Sequence, residues 1–106
     1  MIYVFDIDGT VCTHTDGDYE NAKPLLKRVE KVNDLYERGN KIIFMTARGM
    51  GRSDNNREFA YKEFYDFTYN QLKSWGLKFH ELYLGKPEAD IFIDDKGEKD
   101  VDFFSE

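Results

Sequence analysis

The stretch Phe5-Asp6-Ile7-Asp8-Gly9-Thr10 constrains this chain more than any other. It closes an apolar run that begins at Met1 and reads as a buried strand. If the backbone stays extended through Asp8, side chains alternate, so Asp6 and Asp8 share one face and Ile7 takes the other. Two carboxylates that close resist joint ionisation unless a metal, a proton or the groups that accompany a phosphate offset their repulsion. Gly9 lets the backbone turn sharply where the strand ends, and Thr10 adds a hydroxyl and an N–H. On the hexapeptide alone two readings are open: an acidic turn that caps a strand, or the floor of a site.

The rest of the chain supplies a frame for the second reading. Residues 11–21 are polar and read as a loop or small flap leaving the strand end. Pro24 suits the first turn of a helix, and Leu25, Val29, Val32 and Tyr36 recur at helical spacing until Gly39-Asn40, which predicts a helix over 24–38. Residues 41–45 form a continuous apolar run behind one lysine, the pattern of a parallel strand covered on both faces, and they deliver Thr46 at its end. Residues 47–56 read as a mobile loop carrying Arg48 and Arg52, and 57–75 as a long helix stopped by Gly76. On that helix Tyr61, Phe64, Tyr65, Thr68, Leu72 and Trp75 form one stripe, with Phe59, Phe67 and Tyr69 outside it. The surplus aromatics either lie flat and pack on loops or form a face for homo-oligomer formation through helix 57–75. Residues 79–84 predict a third strand and 91–93 a fourth, running into Asp94-Asp95. The charged tail, 96–106, is expected to dock by Val101, Phe103 and Phe104.

This alternation predicts an α/β fold: one domain over 1–106, with a mostly parallel sheet of about four strands and helices on both faces. The link from Leu84 to Ile91 is shorter than the dozen or so residues a parallel crossover usually takes, so the position and direction of the third or fourth strand stay open. A chain of 106 residues excludes two sizeable domains. Its net charge of −6 opposes nucleic-acid binding except through a local basic patch. The single cysteine, Cys12, rules out an internal disulfide, fits a reducing compartment and reads as a small apolar filler. No apolar run approaches the roughly 20 residues of a membrane helix, and the first strand begins too early for a signal peptide to be expected, so the reading is cytoplasmic with no membrane partner.

Parallel sheets bind ligands at the carboxyl ends of their strands, and the polar groups of this sequence fall there. Asp6 and Asp8 follow the first strand, Thr46 and Arg48 the second, Lys86 the third, and Asp94 and Asp95 the fourth. Several carboxylates with few other ligands suit Mg²⁺. Zinc fits poorly, because His14 and His80 are not at ligand spacing. His80 reads as structural, whereas His14 on the flap is open to substrate contact.

These residues, in this order, resemble the haloacid dehalogenase-like (HAD) phosphohydrolase superfamily. Phe5-Asp6-Ile7-Asp8-Gly9-Thr10 matches its first motif, Thr46 after Phe44-Met45 the second, Lys86 in Gly85-Lys86-Pro87 the third, and Asp94-Asp95 after Ile91-Phe92-Ile93 the fourth. Thr46-Ala47-Arg48-Gly49 with Gly85-Lys86-Pro87 looks like the small capsule-biosynthesis phosphatase-like branch. The resemblance implies a Rossmann-like domain without a cap, and a Mg²⁺-dependent phosphomonoesterase working through an aspartyl-phosphate. It implies Asp6 as nucleophile and metal ligand, and Asp8 as general acid and base with its backbone carbonyl on the metal. Thr46 and Lys86 would hold the transferring phosphoryl group, and Ala47 and Arg48 would join them in substrate contact. Asp95, with Asp94 in support, would complete the metal set. The expected substrate is a sugar phosphate or other small phosphate ester. Two other readings stand beside it: a non-catalytic phosphate- or partner-binding module on the same scaffold, and a phosphatase for nucleotides or nucleic-acid ends drawing on Arg48, Arg52 and Arg57.

Overall fold

The apolar runs become three short strands in a computed structural model that describes residues 1–105. β1 (Ile2–Phe5), β2 (Lys41–Thr46) and β3 (Glu81–Leu84) pair in parallel in the order β1-β2-β3, with Phe5 beside Phe44 and Phe44 beside Leu82. The crossovers carry α1 (Leu26–Glu37) and α2 (Arg57–Ser74), and a last short helix, α3 (Asp100–Phe103), closes the described chain. The result is a compact α/β fold on a small, open parallel sheet. No helix among the described residues is long and apolar enough to cross a membrane.

Local chemistry explains the boundaries. Pro24 forms an isolated bridge with Cys12, and the Leu25 N–H donates to the Val11 carbonyl at 2.9 Å, so α1 starts at Leu26 rather than at the proline. Asn56 caps α2 by accepting the Phe59 N–H at 3.1 Å. Val11 and Cys12 are fully buried, so the expected flap over 11–21 loses its first two residues to the core.

Two expectations about the sheet are corrected. Three strands form among the described residues, not about four, and residues 91–93 are not a strand. The chain leaves β3 through Gly85, whose φ is +94°, and crosses the strand ends towards α1. Lys86 comes to Asp6 on the way, Asp100 binds Arg28 at 2.7 Å, and the Phe103 and Phe104 rings pack on Phe5. Residues 91–93 lie in this crossing, with Ile91 75% and Ile93 92% exposed. The six residues from Gly85 to Asp90 are too few for a helical return that would start a further parallel strand.

The helices do not cover both faces. Both crossovers advance in the same direction across the sheet, and right-handed connections then put both helices on one side. Burial follows this: Phe5, Ile42, Phe44, Thr46, Leu82 and Leu84 are buried on the covered face, whereas Ile2, Val4 and Tyr83 on the other are exposed. Of the surplus aromatics of α2, Phe59 and Tyr69 pair with other rings of the chain. Tyr61, Tyr65 and Tyr69 stack in series, Tyr69 meets Phe79 edge-on, and Phe59 meets Phe64. Phe103 and Phe104 dock as expected, whereas Val101 is exposed.

Candidate active site

β1 ends at Phe5, but its alternation continues. Ile7 is fully buried, and Asp6 and Asp8 on either side line a common cavity of about 820 Å³. A tight turn fixes them. The Ile7 carbonyl accepts the N–H groups of Thr10 and Val11 at 3.0 Å each, and the Gly9 N–H donates to the Cys12 carbonyl at 3.0 Å. Gly9 has a φ of +78°, and a Cβ there would lie 2.4 Å from Cε1 of His14. The turn therefore needs glycine both for its backbone and for the imidazole packed over it.

Thr46, Ala47, Arg48 and Lys86 line the same cavity, so six of the eight residues singled out from the sequence converge. Thr46 is buried at the end of the central strand, its Oγ1 accepting the Arg48 N–H at 3.1 Å. Lys86 is placed by a backbone bond to the Thr46 carbonyl at 3.2 Å. Its Nζ lies 4.0 Å from Asp6 Oδ2 and 4.5 Å from the centre of the Phe92 ring. Burial pushes the Asp6 carboxyl above the usual carboxylate range, with Lys86 acting against it. The Cys12 thiol, buried beneath the turn and beside the Asp8 carboxylate, is pushed up to about 12.

Asp94 and Asp95 are not brought to the cavity. Both are exposed. Asp94 Oδ1 accepts the backbone N–H groups of Lys96 and Gly97 at 2.7 and 2.5 Å, which hold its carboxyl below the usual range. Among the described residues no three His, Cys, Asp or Glu side chains gather as a metal cluster.

Arg48 departs from its expected role as a substrate contact, because its side chain is buried and bonded within the protein. Nε and Nη2 donate to Oδ2 and Oδ1 of Asp8 at 3.0 and 2.9 Å, and Nη1 donates to Gln71 Oε1 at 2.7 Å. Arg57 lies against Gly85, which leaves Arg52, stacked on Tyr19 and Phe64, as the arginine facing the cavity from the loop. Sequence reasoning missed Tyr19, Thr68 and Gln71. The signal for the last two was a threonine on the buried stripe of an aromatic helix with a glutamine three residues on, one turn away on the same side, where an unpaired polar group is costly. His14 lines the cavity, and His80 is structural: its Nδ1 accepts the Ile42 N–H at 3.0 Å and its ring stacks on Tyr36.

The same architecture recurs in a known structure. The crystal structure of a protein from Vibrio cholerae matches 99% of this chain and 88% of its own, with a TM-score of 0.89 at 25% sequence identity. No family model and no curated protein matches the chain. The likeness supports the α/β architecture over nearly its whole length.

Proposed function

We propose that this protein is a Mg²⁺-dependent phosphomonoesterase, a small capless Rossmann-like member of the HAD phosphohydrolases, acting on a sugar phosphate or other small phosphate ester in the cytoplasm. The observation that supports it best is the meeting of Asp6, Asp8, Thr46 and Lys86 at the ends of three adjacent parallel strands, with Lys86 Nζ 4.0 Å from Asp6 Oδ2. A carboxylate nucleophile, a second carboxyl to move a proton, a hydroxyl and an ammonium are the groups that phosphoryl transfer to aspartate requires.

In this reading an Asp6 oxygen attacks phosphorus, and the bond from phosphorus to the ester oxygen breaks. The electron pair stays on the leaving oxygen, which takes a proton from Asp8. Water then attacks the aspartyl-phosphate and gives its proton to Asp8, and the broken bond returns its pair to Asp6. Thr46 and Lys86 hold the phosphoryl oxygens, and Lys86 also orients Asp6. The donors suit a hard cation that keeps most of its waters: the Asp6 carboxylate and the Asp8 backbone carbonyl would hold Mg²⁺, with Asp95 and Asp94 joining only if their segment moves. Bound there, Mg²⁺ would supply charge neutralisation for the phosphoryl oxygens.

Phosphate release from a panel of sugar phosphates, nucleotides and 3′-phosphorylated DNA, with Mg²⁺ and with EDTA, tests this. Turnover that requires Mg²⁺ and is abolished in Asp6→Asn is expected, and an unchanged rate in that variant refutes the nucleophile. The exposed position of Asp94 and Asp95 favours one second reading, a phosphate-binding module without turnover. An inactive wild type that still binds phosphate at Asp6 and Lys86 would support it.

A further inference from the structure

Beneath the site lies a buried polar network centred on Arg48. The guanidinium forks the Asp8 carboxylate through two N–H groups. Its Nη1 is held from the far side by Gln71 Oε1 at 2.7 Å and Thr68 Oγ1 at 3.3 Å, both on α2. Its Cζ lies 4.8 Å over the Tyr19 ring, and Gln71 Nε2 donates to the Tyr19 carbonyl at 2.8 Å. Arg48 is thus held by α2 at Nη1 and by the Tyr19 ring at its face, independently of Asp8.

We propose that Arg48 is the positioning residue for proton transfer in this site. By gripping both oxygens of Asp8 it sets the plane in which that carboxyl meets the leaving oxygen, while itself contacting no substrate. The proposal rests on the reading of Asp8 as general acid and base. A purely structural role explains the arrangement less well, because a buried ion pair contributes little more to stability than well-packed apolar residues would. What a forked pair adds is direction: a planar guanidinium fixes a carboxylate in two dimensions, which the point charge of a lysine does not. Oδ1 of Asp8 also accepts the Cys12 thiol at 3.5 Å, whereas Oδ2 is engaged by Arg48 Nε alone and keeps a further lone pair, so the forked Asp8 still has a place for the transferred proton.

Leaving-group dependence tests this. Loss of the ester bond to an alkoxide needs the Asp8 proton, whereas p-nitrophenolate departs without it. The value of kcat/KM, which reports the transfer to Asp6, is compared for an alkyl phosphate and for p-nitrophenyl phosphate with Mg²⁺. In Arg48→Lys it is expected to fall about 100-fold for the alkyl ester and less than about 10-fold for the aryl ester, with Asp8→Asn giving the same selective loss. Should Arg48→Lys fail to fold, Gln71→Leu, which loosens the guanidinium but leaves the fork intact, is expected to show the same selectivity at smaller size. Equal losses on both esters overturn the positioning role and leave the phosphatase reading standing. Turnover of neither ester by the wild type overturns that reading, and this proposal with it.

Discussion

Asp6 and Asp8 are two residues apart, face one cavity and carry the same charge, yet neutralising them is expected to move stability in opposite directions. Asp8 satisfies a guanidinium whose side chain is 0% exposed. Asp8→Ala leaves that charge buried with two donors empty, and breaking a buried pair from one side costs about 3–5 kcal/mol. The Asp8 side chain keeps 22% exposure, so water enters to replace part of what is lost, and the lower range of about 2–4 kcal/mol applies. An unfolding entropy of about 2.1 cal/mol/K per residue over 106 residues gives roughly 0.22 kcal/mol/K, so the melting temperature is expected to fall by about 9–18 °C. Asp6 is the reverse case. Its side chain is part-buried, with 37% exposed, and its nearest cation stands off at 4.0 Å; desolvation by burial raises its carboxyl, so its ionised form is disfavoured by folding. A carboxyl raised in the folded state loses stability as pH rises through its titration, and at neutral pH Asp6→Asn removes that penalty. Urea and thermal unfolding in EDTA should therefore find Asp6→Asn at least as stable as wild type and Asp8→Ala well below it. In an Arg48→Met background the Asp8→Ala change should cost far less, since no buried charge is left behind. An Asp8→Ala variant within about 0.5 kcal/mol of wild type refutes the buried fork, as this is the scatter of ordinary surface substitutions.

The docking of the tail should depend on acid. Arg28 holds the Asp100 carboxyl below the usual range by a direct hydrogen bond, so its contribution to stability is complete above the ordinary carboxylate value of about 3.9 and is lost as pH falls through the lower folded value. Stability followed below about pH 4 should fall more steeply in wild type than in Asp100→Asn, and superimposable acid limbs would count against the pair. Gly49→Ala should destabilise by about 2–5 kcal/mol in urea, combining left-handed strain with overpacking. Gly49 has a φ of +81°, and a Cβ would meet Phe64 Cδ2 at 2.7 Å and the Ala60 Cα at 3.1 Å. An unchanged midpoint would show that the loop after β2 does not pack on α2 as described.

Much of the frame was legible because it is local. Periodicity located α1 and α2 to within two residues at each end, and the three apolar runs that became strands were each identifiable. The candidate residues at the ends of the three strands followed from position alone, since parallel neighbours put their C-terminal end groups together. What was not legible is non-local. Residues 91–93 have the composition of a strand, but a strand forms only where an edge is within reach, and the docking of Phe103 and Phe104 draws this segment across the strand ends instead. Arg48 read as a substrate contact rather than a buried tether, because its partners lie at positions 8, 68 and 71 and no spacing rule connects them.

One rule accounts for both the site and the uncovered sheet face. In β1 and the turn beyond it, Phe5 and Ile7 point with Tyr3 to the helix-covered side, which puts Ile2, Val4, Asp6 and Asp8 on the opposite phase. The two carboxylates keep the phase of Ile2 and Val4 but lie beyond the sheet, at the strand end and the turn that follows it. Beyond the last strand residue the two carboxylates part company: Asp8 turns its oxygens to the buried Arg48, whereas Asp6 keeps 37% of its side chain exposed beside Lys86. The step from apolar to acidic along one phase, while Phe5 and Ile7 stay apolar on the other, marks where the strand passes from sheet to site. That step is readable from the hexapeptide itself, and it places the carboxylates at the strand ends, where Thr46 from the covered phase meets them in one cavity and Arg48 ties Asp8 to Thr68 and Gln71 of α2.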